Sequence, residues 1–113
     1  MFATVRIGER MVEMAATAAS PVHYRQLFKR DALRTFEKIQ SGEMDKADSI
    51  DLFNELGFVM AMTAKRADMF KLTQEDYISW LEGFDYMDLI DASDAIANVY
   101  FNNRIQTSEP KKE

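Results

Sequence analysis

Apolar residues along the chain first alternate, then recur every three or four positions. The change of period separates a short β segment from a helical remainder. Alternation occupies residues 2–16, where FATVRI and RMVEMAA flank Gly8-Glu9. A Gly-X pair between two such runs predicts a two-residue type II′ turn, so the segment reads as a hairpin. That turn pairs Ile7 with Arg10, Val5 with Val12 and Ala3 with Met14. Val5, Val12, Ala3 and Met14 then share one face, while Arg6 and Glu13 share the other. A lone hairpin is marginal in water, so its apolar face has to pack on helices.

From Ser20 onward the period is helical. Ser20 suits a capping position and Pro21 the first helical one. Tyr24, Leu27, Phe28, Ala32, Phe36 and Ile39 follow at three-to-four spacing, and Ser41-Gly42 is a stop. A second helix is expected from about Asp48 to Asp68, with Leu52, Phe53, Leu56, Val59, Met60, Thr63 and Ala67 on its apolar face. Gly57 inside it costs about 1 kcal/mol against alanine, which points to close approach of another helix. TQED at 73–76 has the form of a capping box and opens a third helix running toward Phe84. A fourth spans about Tyr86 to Asn103, using Leu89, Ile90, Ala92, Ile96, Val99 and Tyr100. The ending TSEPKKE has no apolar residue. The expectation is a mostly α protein: one domain over 1–106, a hairpin at 2–16 packed on about four helices, and a disordered tail at 107–113.

Composition fits this reading. A chain of 113 residues with 47% hydrophobic content has enough apolar material for one core. It has no cysteine, which excludes disulfides and thiolate metal sites. No apolar run approaches the length of a membrane span, and MFATVRIGERMVEM lacks the apolar stretch of a secretory signal.

Candidate chemistry is sparse. His23 is the single histidine, with no HExxH spacing and no second histidine to complete a zinc site. GxSxG is absent, and the four glycines, at 8, 42, 57 and 83, never cluster into a phosphate loop. DKADSIDLFNE lacks the glycine and oxygen spacing of a calcium loop. No catalytic, cofactor-binding or metal-binding residue is expected, and the chain does not read as an enzyme.

Charge is more informative. The net charge of −5 is uneven: residues 1–40 carry seven basic and four acidic side chains, residues 41–100 four basic and thirteen acidic. Phosphate contacts supply most nucleic-acid affinity, so an acidic chain with one small basic segment is a poor binder. Residues 24–38 would be its only recognition helix. Arg30, Arg34 and Lys38 recur every four residues, a basic ridge on the first helix. Asp85, Asp88, Asp91 and Asp94 recur every three, an acidic row on the last. Like charges at these spacings cost a few tenths of a kcal/mol each unless neutralised. The two rows are therefore the candidate partner-binding residues, with solvation or mutual pairing within the chain as the alternatives. Eight methionines add adaptable apolar surface, for a core or an interface.

The order of features resembles the small tail assembly chaperones of long-tailed bacteriophages and prophages, especially those of Gram-positive hosts. A hairpin ending in VRIGERMVEM precedes SPVHYRQLFKRDAL, the methionine-rich LGFVMAMTAKRA and TQEDYISWLEGFDYMDLIDA. The shared patterns are YRxLFxxD and EDYxxWLExF, within a similarity covering about residues 3–103. The resemblance implies a helical, non-catalytic protein of the host cytoplasm, absent from the mature virion. Its implied partners are the tape measure protein, the tail tube protein and further copies of itself, not nucleic acid or membrane. Such chaperones are often made in two lengths by ribosomal frameshifting, and this chain would be the short form. A nucleic-acid-binding phage regulator and a head–tail connector piece are the competing readings.

Overall fold

A computed structural model describes residues 2–102. The hairpin forms in the expected register. β1 (Phe2–Ile7) and β2 (Arg10–Ala15) pair antiparallel, with Ile7 opposite Arg10, Val5 opposite Val12 and Ala3 opposite Met14. Gly8 takes a positive φ of 64° and Glu9 does not, as a type II′ turn requires. Val5, Ile7 and Met14 are buried on the inner face, and Arg6 and Glu13 stand in solvent on the outer one.

Among the described residues five α-helices follow rather than about four: α1 (Ser20–Phe28), α2 (Ala32–Gln40), α3 (Lys46–Ala64), α4 (Gln74–Leu81) and α5 (Tyr86–Ala97). The extra one arises because the expected 20–40 helix is two. Lys29 ends α1 in the left-handed region at φ 63°, its N–H donating to Arg25 O. Asp31 then starts α2 as a cap, its carboxylate accepting from Arg34 N–H at 2.9 Å. Phe28 and Ala32 are four residues apart, so the apolar rhythm runs unbroken across the joint and hides it. Ser20 is not the cap of α1 either. Ala19 precedes the helix, and the buried Ser20 hydroxyl accepts from Thr17 N–H at 2.9 Å, holding the hairpin exit against the helix start.

α3 is the axis of the fold. It begins two residues before the expected start, behind a reciprocal Asp45–Asp48 capping box, and stops at Ala64 rather than Asp68. Arg66 at φ 61° turns the chain away, and Asp68 caps a 3₁₀ turn, Met69–Lys71. α3 packs against each of the other four helices and against β2. Leu52, Leu56, Val59 and Met60 are wholly enclosed, which explains a helix apolar on most of its circumference. A Cβ at Gly57 would lie 3.3 Å from Ile96 Cδ1 and 3.5 Å from Met14 Cε, so the glycine lets both α5 and the hairpin come close.

The remaining boundaries follow local chemistry. Gly42 at φ 86° closes α2 while Glu43 N–H returns to Lys38 O, the expected stop. Thr73 and Asp76 form the expected capping box of α4. α5 passes at Asn98 into a π turn, Asn98–Asn102, instead of continuing regularly to Asn103. The expected tail, 107–113, lies outside the described residues.

Candidate protein-binding surfaces

The first basic residue of the expected ridge is part of the fold. Arg30 sits in the joint between α1 and α2 and turns toward α3. Its Nη2 donates to Glu55 Oε1 at 2.8 Å and its Nε to the Tyr24 hydroxyl at 2.9 Å. Tyr24 Oη in turn donates to the same Glu55 oxygen at 2.6 Å. The side chains of Arg30 and Glu55 are only 34% and 15% exposed. Burial, then the Glu55 carboxylate, push the Tyr24 hydroxyl well above the ordinary tyrosine range. For Arg30, burial favours the neutral form, but the bonds to Glu55 and Tyr24 outweigh it and hold the guanidinium charged. Tyr77 is raised too, by burial and then by the charges of Glu55 and Asp51.

Arg34 and Lys38 stand on the exposed side of α2. They remain a two-residue basic strip, separated from Arg30 by the helix break. The acidic row is also divided by role. Asp85 caps α5, accepting from Met87 N–H at 2.9 Å. Asp88 lies against the hairpin turn, where any Cβ at Gly8 would overlap its carboxylate. Asp91 and Asp94 are exposed on α5. Among the described residues, neither Arg34, Lys38 nor any of these four aspartates has an ion pair within 4.0 Å. The two rows therefore do not neutralise each other within the described chain. The candidate recognition helix at 24–38 does not exist as one helix, because the joint at Lys29–Asp31 divides it.

His23 is a packing residue. It is half-buried, its ring meets Phe70 edge-on at 5.3 Å, and Nδ1 is enclosed without a hydrogen-bond partner. No group of three or more His, Asp or Glu side chains able to hold a metal ion occurs among the described residues. No described helix is long and apolar enough to cross a membrane.

A surface that sequence reasoning did not pick out lies between β2 and α4. Tyr24, Phe28, Tyr77, Phe58, Trp80 and Phe84 form a chain of aromatic neighbours, with successive ring centroids 4.9–5.7 Å apart. It ends under Arg10, whose guanidinium lies 4.5 Å from the Phe84 ring centre and donates through Nη1 to Gly83 O at 2.9 Å. Beside this bridge opens a groove of about 250 Å³ lined by Val12, Ala61, Ala64, Trp80 and Phe84. The i, i+4 pair Trp80/Phe84 was the one signal in the sequence. Its meeting with Arg10, which bonds to Gly83 seventy-three residues away, had none.

Compared with family models, with curated proteins and with solved structures, the chain matches none.

Proposed function

We propose that this chain is a tail assembly chaperone of a long-tailed bacteriophage or prophage, working without catalysis in the host cytoplasm and left out of the mature virion. It binds the tape measure protein, keeps its long amphipathic helices soluble, and helps recruit tail tube subunits. The observation that carries the reading is the spread of exposed apolar side chains. Phe2 and Phe70 are 70% and 65% exposed, and Met11, Ile78, Tyr86 and Met87 each at least half. They stand on both strands, the 3₁₀ turn, α4 and α5, among charged neighbours. Separate apolar points of this kind can each hold an apolar client weakly, while the net charge of −5 keeps the chaperone itself dispersed. Methionine adapts its shape to an irregular client stripe.

The two motifs behind the resemblance also meet in space. Phe28 of YRQLF packs edge-on to Tyr77 of EDYISWLEGF, with ring centres 5.1 Å apart. The motifs are thus the two halves of one α1–α4 contact.

Co-expression with a fragment of a phage tape measure protein tests the proposal. The fragment is expected in the soluble fraction only when the chain is present, and to return to the pellet with a Phe2→Ser/Met11→Ser/Phe70→Ser/Met87→Ser variant that keeps its helicity. A fragment equally insoluble with and without the chain overturns the reading.

A further inference from the structure

The hairpin's pairing fixes which backbone groups of β2 are spent. A two-residue turn makes Ile7 and Arg10 a hydrogen-bonded pair, and such pairs alternate along an antiparallel ladder. Val5 with Val12 and Ala3 with Met14 are therefore bonded pairs in the observed register. Met11 and Glu13 are the alternate positions, so their N–H and C=O groups point away from β1. Among the described residues none of these four groups has a backbone or side-chain hydrogen-bond partner. They form the free edge of β2, and Arg10 through Glu13 line one side of the groove whose other walls are Trp80, Phe84, Ala61 and Ala64.

We propose that this groove docks an extended segment of a partner protein, which adds as a third strand along β2 and sets an apolar side chain against Trp80 and Phe84. An open strand edge selects a partner by its main chain: donors and acceptors at strand spacing are satisfied by another strand and not by a helix. The cavity, about 250 Å³, accommodates one large apolar side chain of such a segment, whose inward-facing positions recur every second residue. The rim sets the charge. Arg10 uses Nη1 on Gly83 and its face on Phe84, leaving Nε and Nη2 to donate. Lys65 is exposed and makes no ion pair among the described residues. Against these two cations stands Glu13 alone, so the segment is apolar at the inward position and acidic beside it. The chain's own residues 103–113 carry Arg104, Lys111 and Lys112 against Glu109 and Glu113, a net charge of +1 and not the acidic character the rim favours. This site concerns an extended segment, and stands or falls separately from the capture of tape measure helices.

The test is selection of a random peptide library on the intact chain, followed by binding of the selected synthetic peptide. Trp80, the single tryptophan, reports occupancy by its emission. Selected peptides are expected to alternate apolar and acidic residues, to shift Trp80 emission, and to slow hydrogen exchange at the amides of Met11 and Glu13. Glu13→Pro removes an outward N–H without touching the ladder to β1, so the hairpin is retained and affinity falls at least about tenfold. Lys65→Glu weakens binding of the same peptide without altering helicity. Selected peptides that bind Glu13→Pro as tightly as the parent, or that protect other amides, overturn the proposal. So does a selection that enriches no alternating sequence. Protection of Met11 and Glu13 that grows with protein concentration in the absence of peptide assigns the edge to a second copy instead.

Discussion

Arg30 and Arg34 are the same residue type, one helical turn apart in sequence, and they do opposite things. Arg30 closes a half-buried triangle with Tyr24 and Glu55, joining α1 to α3. Arg34 donates its backbone N–H to the Asp31 cap and leaves its guanidinium in solvent without an ion pair among the described residues. The break at Lys29 creates the difference. In a continuous helix both would lie on one face; with Lys29 left-handed, Arg30 falls in the joint and Arg34 in α2, and they point to different neighbours. The joint is a device of the fold, and the outer strip of α2 is surface free to meet something else. Charge spacing locates a ridge only when the helix beneath it is real.

The largest effect is expected at the joint. Glu55→Ala leaves Arg30 and the Tyr24 hydroxyl without their shared acceptor, and should cost about 2–3 kcal/mol of stability. Urea denaturation should show the loss as a lower midpoint at unchanged slope. A loss below about 0.5 kcal/mol would place the triangle with ordinary surface pairs.

Alkaline pH probes the same region. Tyr24 and Tyr77 both hold their protons more tightly in the folded chain than in the unfolded one. Their contribution is therefore constant below about pH 10, where the unfolded hydroxyls are also protonated, and it is lost as pH rises beyond that. Stability should fall by up to about 1.4 kcal/mol per pH unit for each tyrosine. Denaturation midpoints measured from pH 8 upward should bend near pH 10, and the bend should flatten in Tyr24→Phe/Tyr77→Phe. At neutral pH, Tyr24→Phe alone is a smaller change. It keeps the ring on Phe28, at 5.1 Å, and the Arg30–Glu55 pair, and should cost about 1 kcal/mol by the same denaturation measurement.

Legibility followed the range of the interactions involved. The hairpin register was readable because turn residues and alternation both lie within sixteen residues and agree. The Thr73–Asp76 box and the Ser41-Gly42 stop were readable for the same reason, each being a local competition for backbone N–H or C=O groups. Gly57 was readable as a close approach, though not which elements approach. The helix break was hidden because Asp31 capping beats continuation without disturbing the apolar spacing. The Asp45–Asp48 box carries a weaker local signal because it opens with aspartate, where the usual pattern opens with Ser or Thr. Nothing local marks Glu55 as the partner of Arg30, or Gly83 as the partner of Arg10, since both pairings exist only once α3 and α4 are in place. Of the candidate charged rows only exposure was legible, and only in part: Arg34, Lys38, Asp91 and Asp94 stand in solvent, while Arg30, Asp85 and Asp88 are held by the fold.

The smallest expected effect on stability is the one that most sharpens the contrast. Reversing Arg34 and Lys38 to glutamate touches no side-chain hydrogen bond among the described residues, and should change stability by less than about 0.5 kcal/mol. Including Arg30 in the reversal would confound the experiment, because a glutamate facing Glu55 breaks the joint and any loss of binding would report unfolding. The double variant separates the two functions. If the α2 strip meets an acidic partner surface, pull-down of a tape measure fragment should weaken and grow less salt-sensitive, since two screened attractions have become repulsions. If pull-down and its salt dependence are unchanged, the strip is a solvated helix face, and the contacts of this protein lie with its apolar side chains.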